Sequence, residues 1–373
     1  MSLNAKILPF PSQRESAWLS PVDADFAACE FLAIPIDRRS DADREEYLGS
    51  PDVLLALCSK LRGRRDLAPA VVETEAIDAY RWISRPECEL GLFDERDYFL
   101  GEVSLLAAAA SRQLGKREEA FRWLDRAEAG FRHTVNPAPG MANVAYIRLA
   151  LRYEMGRYDD VLELSPSLES SFSKLRMPLE TVKCRLLRAM TLKQTGKHGS
   201  AIDLLGELCS EAPLSSDPFL GARVLAELGD SQQLVGRFDL AMTAFQQALS
   251  LLSDREASAA KADLKLYVGG VHKALGALSA ATESFREAQR DYQALGMRAL
   301  VAYSHLVVAE TLLEMKRDRE AEWEILAALP AIDELKLVPE GFAAVALLRE
   351  SISKRTPDTS ALQNLRAQLQ GKN

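Results

Sequence analysis

The sequence predicts an all-α fold of stacked helical hairpins, because one pattern of small and large residues recurs at a fixed interval. In the clearest copy, a glycine is followed five, nine and twelve positions later by a small, an aromatic and a small residue: Gly236, Ala241, Phe245 and Ala248. The first position of this pattern recurs 40 or 41 residues apart, at Gly115, Gly156, Gly196, Gly236, Gly276 and Lys316. A constant period of this size is typical of repeat architectures.

Each part of the pattern has a structural reason. The three offsets place the apolar side chains on one stripe of a helix. The small side chains let a neighbouring helix approach closely, and the large one fills the remaining space. The glycine ends the preceding helix in a backbone conformation that other residues adopt at a cost. A single hairpin cannot bury its apolar face alone, so successive hairpins are expected to stack.

This pattern resembles the tetratricopeptide repeat (TPR). The second half of that motif reads glycine, aromatic, alanine, aromatic, alanine, which the chain matches with Gly236, Phe238, Ala241, Phe245 and Ala248. A small residue seven positions before the turn also fits, for example Gly229 and Gly269. The resemblance implies a right-handed α-α superhelix, a TPR-like solenoid of about seven hairpins. The family's early tryptophan is missing, and a period of 40 rather than 34 implies longer helices or loops.

Three regions are predicted along the chain. Residues 1–48 are a partly irregular lead segment with four prolines and a charged stretch, and Phe26–Ile34 within it favours a short helix. This lead is either mobile or a cap packed on the first hairpin. Residues 49–355 form the TPR-like array. Residues 356–373 form a C-terminal tail that caps the array, with Leu362, Leu365 and Leu369 at helical spacing.

The array is expected to begin with a degenerate hairpin. Ser50 and Pro51 are typical residues for the start of a helix over 51–62. A second helix over Leu67–Ile83 would bury the face formed by Val71, Val72, Ala76 and Tyr80. After a connector, the next hairpin pairs a helix over Arg96–Leu114 with one over Arg117–Phe131.

Prolines are expected to interrupt the later helices. Pro166 falls inside a second helix, so that helix is predicted to stop near Leu164 and to restart after the proline. The helix that starts at Asp318 is predicted to end at Pro330 for the same reason. A further helix over Pro339–Lys354 should follow.

The composition excludes several classes of protein. Apolar residues make up 47% of the 373 residues, charged residues 27%, and the net charge is −8. An acidic chain argues against direct nucleic-acid binding, which requires a clustered basic face. Five widely spaced cysteines with no CxxC pair argue against a zinc ribbon or a redox pair. No apolar run is long enough for a signal peptide or a membrane span, so a cytoplasmic protein is expected.

The sequence also lacks the common catalytic motifs, such as a nucleophile elbow, a phosphate-binding glycine loop or a zinc-binding HExxH. The four histidines lie far apart in the sequence, and acidic pairs such as Glu118–Glu119 fall at helix starts, where they complement the helix dipole. We therefore expect no catalytic residues, no metal site and no cofactor.

In the TPR family, ligands bind the concave groove, which the first helix of each hairpin lines. The family's groove positions lie 13, 10, 6 and 3 residues before the turn glycine. Mapping these positions onto the chain gives nine candidate partner-binding residues, which are Asn143, Tyr146, Tyr153, Lys183, Lys193, Arg223, Gln233, Lys273 and Tyr303. The lysines and the arginine favour an acidic peptide or a terminal carboxylate, and the tyrosines offer rigid contact area. The alternative is a solvated groove with ordinary charged residues.

A closer resemblance covers the stretch from Ala294 to Glu314, which is similar to long-period bacterial arrays attached to helix-turn-helix or zinc-finger anti-sigma modules. Residues 1–48 contain neither module. The resemblance implies a non-catalytic scaffold for protein–protein interaction in bacterial signalling or transcriptional regulation, which binds a segment of a partner in the groove. The alternative is a sensor that changes conformation when it binds a peptide or small ligand. The lead segment is one candidate for an internal pseudo-ligand.

Overall fold

The computed structural model describes residues 19–64, 68–86, 88, 90, 93–211, 217–252, 258–333 and 359–370. These residues form seventeen α-helices, which confirms the predicted all-α class. The helices are α1 Pro21–Ala33, α2 Asp41–Leu48, α3 Pro51–Arg64, α4 Pro69–Ile83, α5 Phe93–Gln113, α6 Arg117–Arg132, α7 Ala138–Glu154, α8 Tyr158–Lys174, α9 Pro178–Gln194, α10 His198–Glu211, α11 Pro218–Leu234, α12 Phe238–Leu251, α13 Ala259–Ala274, α14 Leu278–Ala294, α15 Arg298–Glu314, α16 Asp318–Asp333 and α17 Thr359–Gln370. The chain divides into two compact units, Met1–Thr181 (unit 1) and Val182–Asn373 (unit 2).

Unit 1 begins with two short helices from the lead segment. The side chain of Ser20 accepts a hydrogen bond from the backbone N–H of Asp23 at 3.1 Å and so caps α1. Helix α1 starts earlier than expected, packs on α3 and buries Ala28 and Phe31. A reciprocal capping box at Ser40 starts α2. From residue 19 onward, the lead is therefore a folded cap, while residues 1–18 lie outside the described residues.

Four charged side chains, which we call the lead cluster, connect this cap to α4. Arg39 donates hydrogen bonds to Glu75 at 2.6 Å and to Asp78 at 3.1 Å, and Arg44 donates to Asp78 at 2.9 Å. The side chain of Arg39 is completely buried, and its guanidinium lies 4.1 Å above the ring of Phe31. Burial lowers the pKa of Arg39, but the two carboxylates outweigh burial and raise it overall. Two positive and two negative charges leave the lead cluster neutral.

The buried face of α4 differs in part from the prediction. Val72 and Ala76 are buried as expected and Tyr80 is half-buried, but Val71 is 47% exposed. Glu75 and Asp78 are buried on this helix because Arg39 compensates their charges. The apolar pattern alone could not show that the helix would also pack carboxylates against the lead segment.

The repeated turn position has the backbone conformation that the sequence predicts. Gly115, Gly156, Gly196, Gly236 and Gly276 have φ between 72° and 76°, and Lys316 adopts φ 58° in the same place. The turns between hairpins use the same region of backbone conformation, at Arg176 with φ 56° and Gly296 with φ 69°. Helices α7 to α16 therefore begin at intervals of 20 residues, except that α13 begins one residue late.

Within a hairpin, a glycine of the first helix packs against an aromatic ring of the second. A Cβ added at Gly229 would lie 2.5 Å from the ring of Phe245, and one at Gly269 would lie 2.4 Å from Phe285. Both rings are buried. The small residue seven positions before the turn is thus required by close packing.

Two predictions about prolines were wrong. Helix α8 runs without interruption through Pro166, and α16 runs through Pro330 to Asp333. Both prolines lie on exposed faces, where water can bind the backbone carbonyl that loses its helical partner. The opposite faces bury Phe172 in α8 and Ile332 in α16, which favours continuous helices.

The C-terminal tail contains the predicted helix, α17, which packs on α15. Leu362 is fully buried there. The helix predicted over Pro339–Lys354 lies outside the described residues.

Candidate partner-binding groove

The nine predicted groove residues lie on first helices of the hairpins and divide between the two units. Asn143, Tyr146 and Tyr153 lie on α7 in unit 1. The other six belong to unit 2, where they lie on α9, α11, α13 and α15, and these six are Lys183, Lys193, Arg223, Gln233, Lys273 and Tyr303. Each unit is therefore considered by itself.

In unit 1, the two tyrosines contact the second helix of their own hairpin. The ring of Tyr146 meets Phe172 edge-on, with ring centroids 6.4 Å apart, and Tyr153 lies 5.6 Å from Tyr158. Asn143 and both tyrosines are half-buried. These side chains therefore help to hold α7 against α8 and offer only part of their surface to a partner.

In unit 2, Lys193 binds two carboxylates of the next first helix. Its ammonium lies 2.6 Å from Glu227 and 2.5 Å from Asp230, both on α11. Burial lowers the pKa of Lys193, but the two carboxylates outweigh burial and raise it above its ordinary value. The lysine therefore stays charged at neutral pH. We call Lys193, Glu227 and Asp230 the α9–α11 cluster, which holds one positive and two negative charges.

The same arrangement recurs 80 residues later. The ammonium of Lys273 lies 3.3 Å from Glu310 and 3.0 Å from Glu314, both on α15. We call these three residues the α13–α15 cluster, and it too contains one positive and two negative charges. Glu310 is buried and binds a further cation, Arg366 of α17. The two groove lysines are thus already bound to carboxylates of the chain, which leaves the groove less suited to an acidic ligand than the sequence suggested.

An aromatic platform lies beside the α9–α11 cluster. Tyr267 of α13 stacks on Phe245 with ring centroids 5.3 Å apart, yet it remains 39% exposed. The pKa of Tyr267 is raised, first by burial and then by the carboxylates of Glu227, Asp230 and Asp263. The surroundings of this ring are therefore negative, and a tyrosine face of this kind attracts cations.

The remaining predicted residues of unit 2 have different surroundings. Arg223 is exposed, with its guanidinium 3.8 Å from the sulfur of Met190. Lys183 and Tyr303 are half-buried, and burial raises the pKa of Tyr303. The amide oxygen of Gln233 is buried without a hydrogen-bond partner among the described residues. A Cβ added at Gly270 would lie 3.3 Å from the amide nitrogen of Gln233, so the glycine makes room for this side chain.

The sequence analysis missed the carboxylates that neutralise the groove lysines. A signal was present, because Lys193 and Asp230 are 37 residues apart, as are Lys273 and Glu310. In a 40-residue repeat, this separation joins a position near the end of one first helix to a position one turn earlier in the next. Tyr267 was also missed, because it lies between two of the family's groove positions.

The described residues contain no group of three or more histidine, cysteine or acidic side chains that could hold a metal ion. In the same part of the chain, no helix combines the length and apolar character needed to cross a bilayer. The titratable groups that approach each other in the groove are ion pairs between neighbouring first helices.

Comparison with models of known protein families gave no match, and comparison with curated protein sequences gave none either. Solved structures are similar in fold. Aspartyl phosphate phosphatase F from Bacillus subtilis gives a TM-score of 0.56 at 14% identity, covering 96% of both chains. The Rap conjugation gene regulator of the plasmid pLS20, in complex with the Phr* peptide, gives 0.55 at 14% identity, covering 95% of this chain and 96% of that one.

A third similar structure is a signal-transduction ATPase with numerous domains from Pyrococcus horikoshii, which has a tetratricopeptide repeat sensor. It gives a TM-score of 0.54 at 12% identity, covering 86% of this chain and 52% of that one. At these identities the likeness concerns the fold alone. Together with the repeated turns and the hairpin packing, it shows that the chain has a TPR-like helical-repeat fold.

Proposed function

We propose that the chain is a non-catalytic scaffold for protein–protein interaction, and that the groove of unit 2 binds a positively charged segment of a partner protein. The observation that carries this proposal is the α9–α11 cluster. Its two carboxylates exceed its single ammonium by one charge, and Asp230 is 28% exposed at the side chain. A cationic side chain of a partner would balance this charge and could stack on Tyr267.

The context of the proposal is bacterial signalling or transcriptional regulation in the cytoplasm. The support is analogy, because one structure of similar fold is a conjugation gene regulator with a bound peptide and another contains a repeat sensor. Direct binding of nucleic acid is not part of the proposal, since excess carboxylates in the groove would repel a phosphate backbone.

A second candidate function is a peptide sensor that changes conformation upon binding. The complex of the conjugation gene regulator with its peptide is the observation that favours it. A scaffold and a sensor differ in their response to a bound segment. Small-angle scattering with and without the bound segment distinguishes them, because only a sensor changes its radius of gyration beyond what the added mass explains.

The proposed function is tested by removing the excess negative charge. The double variant Glu227→Gln with Asp230→Asn should lose a partner that the wild type captures from native extract, by about tenfold or more, because a charge-assisted contact is lost. The matched control, Asp203→Asn with Asp239→Asn, removes the same charge from exposed positions of the second helices α10 and α12. Circular dichroism checks that both variants fold. Equal capture by the two double variants would contradict the proposal.

A charge reversal at Arg223 decides the sign of the partner's charge. This arginine is exposed at a groove position, so Arg223→Glu should disturb the fold little. The variant should bind a basic partner more tightly than the wild type, and the gain should shrink as salt increases. Weaker binding would indicate an acidic partner instead.

A further inference from the structure

The C-terminal helix α17 lies on the groove side of the last described hairpin. It packs on α15, and Leu362 joins a buried apolar cluster that includes Leu306, which occupies a groove position of the family. Tyr303, another groove position, packs against the same cluster. Part of the predicted groove of unit 2 is therefore covered by the chain itself.

The polar contacts of α17 meet the groove at the α13–α15 cluster. Arg366 donates a hydrogen bond to one carboxylate oxygen of Glu310, and Gln363 donates to the other at 3.3 Å. Lys273 binds the same carboxylate from α13. With Arg366 in place, the surroundings of Glu310 contain two positive and two negative charges. Helix α17 thus supplies the positive charge that this cluster lacks by itself.

The α9–α11 cluster has the same composition and the same 37-residue spacing, but its excess negative charge is not balanced by α17, which packs on α15. The two clusters show one site in two states, with and without a cationic helix. Leu362 and Arg366 are four residues apart, so they lie on one face of α17, an apolar contact beside a cationic one.

We propose that α17 is a displaceable internal ligand of the unit 2 groove, and that a partner helix with a leucine and an arginine or lysine four residues later competes with it. This inference rests on the proposed function of the same groove. It specifies the partner as an amphipathic basic helix and assigns the role of internal pseudo-ligand to the C-terminal tail.

The competition is expected to be strong because α17 belongs to the same chain. A tethered segment acts at an effective concentration in the millimolar range, so a free peptide of the same sequence must overcome this advantage. A free 12-residue helix is also marginal in water, which weakens it further. Weakening the contacts of α17 should therefore expose the site to the free peptide.

The test uses the full chain and a fluorescent peptide with the sequence of residues 359–370. The opening variant is Leu362→Ala with Arg366→Gln, and the matched control is Asn364→Ala with Ala367→Glu, two exposed positions of the same helix with the same change in net charge. Fluorescence anisotropy should show at least tenfold tighter peptide binding to the opening variant than to the wild type or the control. A peptide that carries the two opening substitutions should not bind.

Equal peptide binding by the wild type, the control and the opening variant would overturn the inference, as would no binding by an opening variant that circular dichroism shows to be folded. Arg366→Gln alone gives a second check, since this side chain is 31% exposed and its change should leave the fold intact while giving an intermediate gain.

The outcome is separable from that of the proposed function. If Glu227→Gln with Asp230→Asn abolishes partner capture but opening α17 leaves capture and peptide binding unchanged, the groove binds a partner and the internal ligand does not exist. If the peptide gains affinity for the opening variant while groove variants leave partner capture unchanged, α17 is an internal ligand and the proposed partner site is wrong.

Discussion

The lead cluster of unit 1 and the α9–α11 cluster of unit 2 use similar side chains but differ in burial and charge balance. Arg39 and Arg44 face Glu75 and Asp78, the charges cancel, and the side chain of Arg39 is 0% exposed. Lys193 faces two carboxylates alone, and Asp230 remains partly open to solvent.

The difference indicates which ionic clusters hold a fold together and which are available for binding. A deeply buried charge must be compensated within the protein, because desolvation would otherwise dominate. A partly exposed excess carboxylate can stay hydrated until another cation replaces the water. The balance and exposure of a cluster are therefore more informative about function than the residue types in it.

Removing the buried cation of unit 1 should have the largest effect on stability. Arg39→Met leaves Glu75 and Asp78 buried without their main partner and should lower the free energy of unfolding by about 3–5 kcal/mol. The neighbouring Arg38 is exposed, and Arg38→Met should stay within about 0.5 kcal/mol of the wild type. Urea unfolding followed by circular dichroism measures both. Similar values for the two variants would show that the lead cluster is not structural.

A feature shared by the two units should respond equally in both. A Cβ at Gly140 in unit 1 would lie 2.4 Å from Phe131, and one at Gly269 in unit 2 would lie 2.4 Å from Phe285. Each change to alanine should cost about 1–3 kcal/mol by overpacking. Gly206→Ala is the matched control, since no atom lies within 4 Å, and it should stabilise α10 by about 0.5–1 kcal/mol. If thermal unfolding shows Gly269→Ala to be as stable as Gly206→Ala, the hairpins do not depend on close packing.

The smallest effect concerns a thiol of unit 1 and appears at alkaline pH. Burial raises the pKa of Cys58 from 9.0 to about 11. The neutral thiol is thus favoured in the folded state, and this stability is complete below pH 9 and is lost as pH rises toward 11. Relative to pH 7, the loss at pH 10 should be about 1.4 kcal/mol.

Cys58→Ala does not titrate and serves as the reference for this effect. The difference in unfolding free energy between the wild type and Cys58→Ala should therefore narrow by that amount from pH 7 to pH 10. A difference that stays constant with pH would mean that the thiol is accessible to hydroxide in the folded state.

The hairpin architecture was predictable because it depends on short-range features. A glycine with positive φ, such as Gly236, and a glycine against a ring, such as Gly229, leave a periodic trace in the sequence. The prolines misled because their effect depends on which face of the helix they occupy. Pro166 lies on the exposed face of α8, and only the packed structure shows which carbonyls can reach water.

The groove was predictable in position but not in charge. The family's positions identify Lys193 and Lys273 correctly as residues of first helices, yet they treat each residue singly. The carboxylates that bind these lysines belong to the next repeat, and pairing them requires the register between successive first helices. The role of Arg366 could not be read from the sequence, because no local pattern places α17 on α15.

The 20-residue interval between helix starts constrains how the gene can change length. Loss of a single codon inside a helix would rotate every following side chain of that helix by about 100° and move its buried stripe toward solvent. Duplication of a 40-residue block from one turn glycine to the next would instead add a hairpin in register. Such a duplication spanning Lys193 and Asp230 would also copy their ionic cluster, so the array could gain binding sites in whole steps.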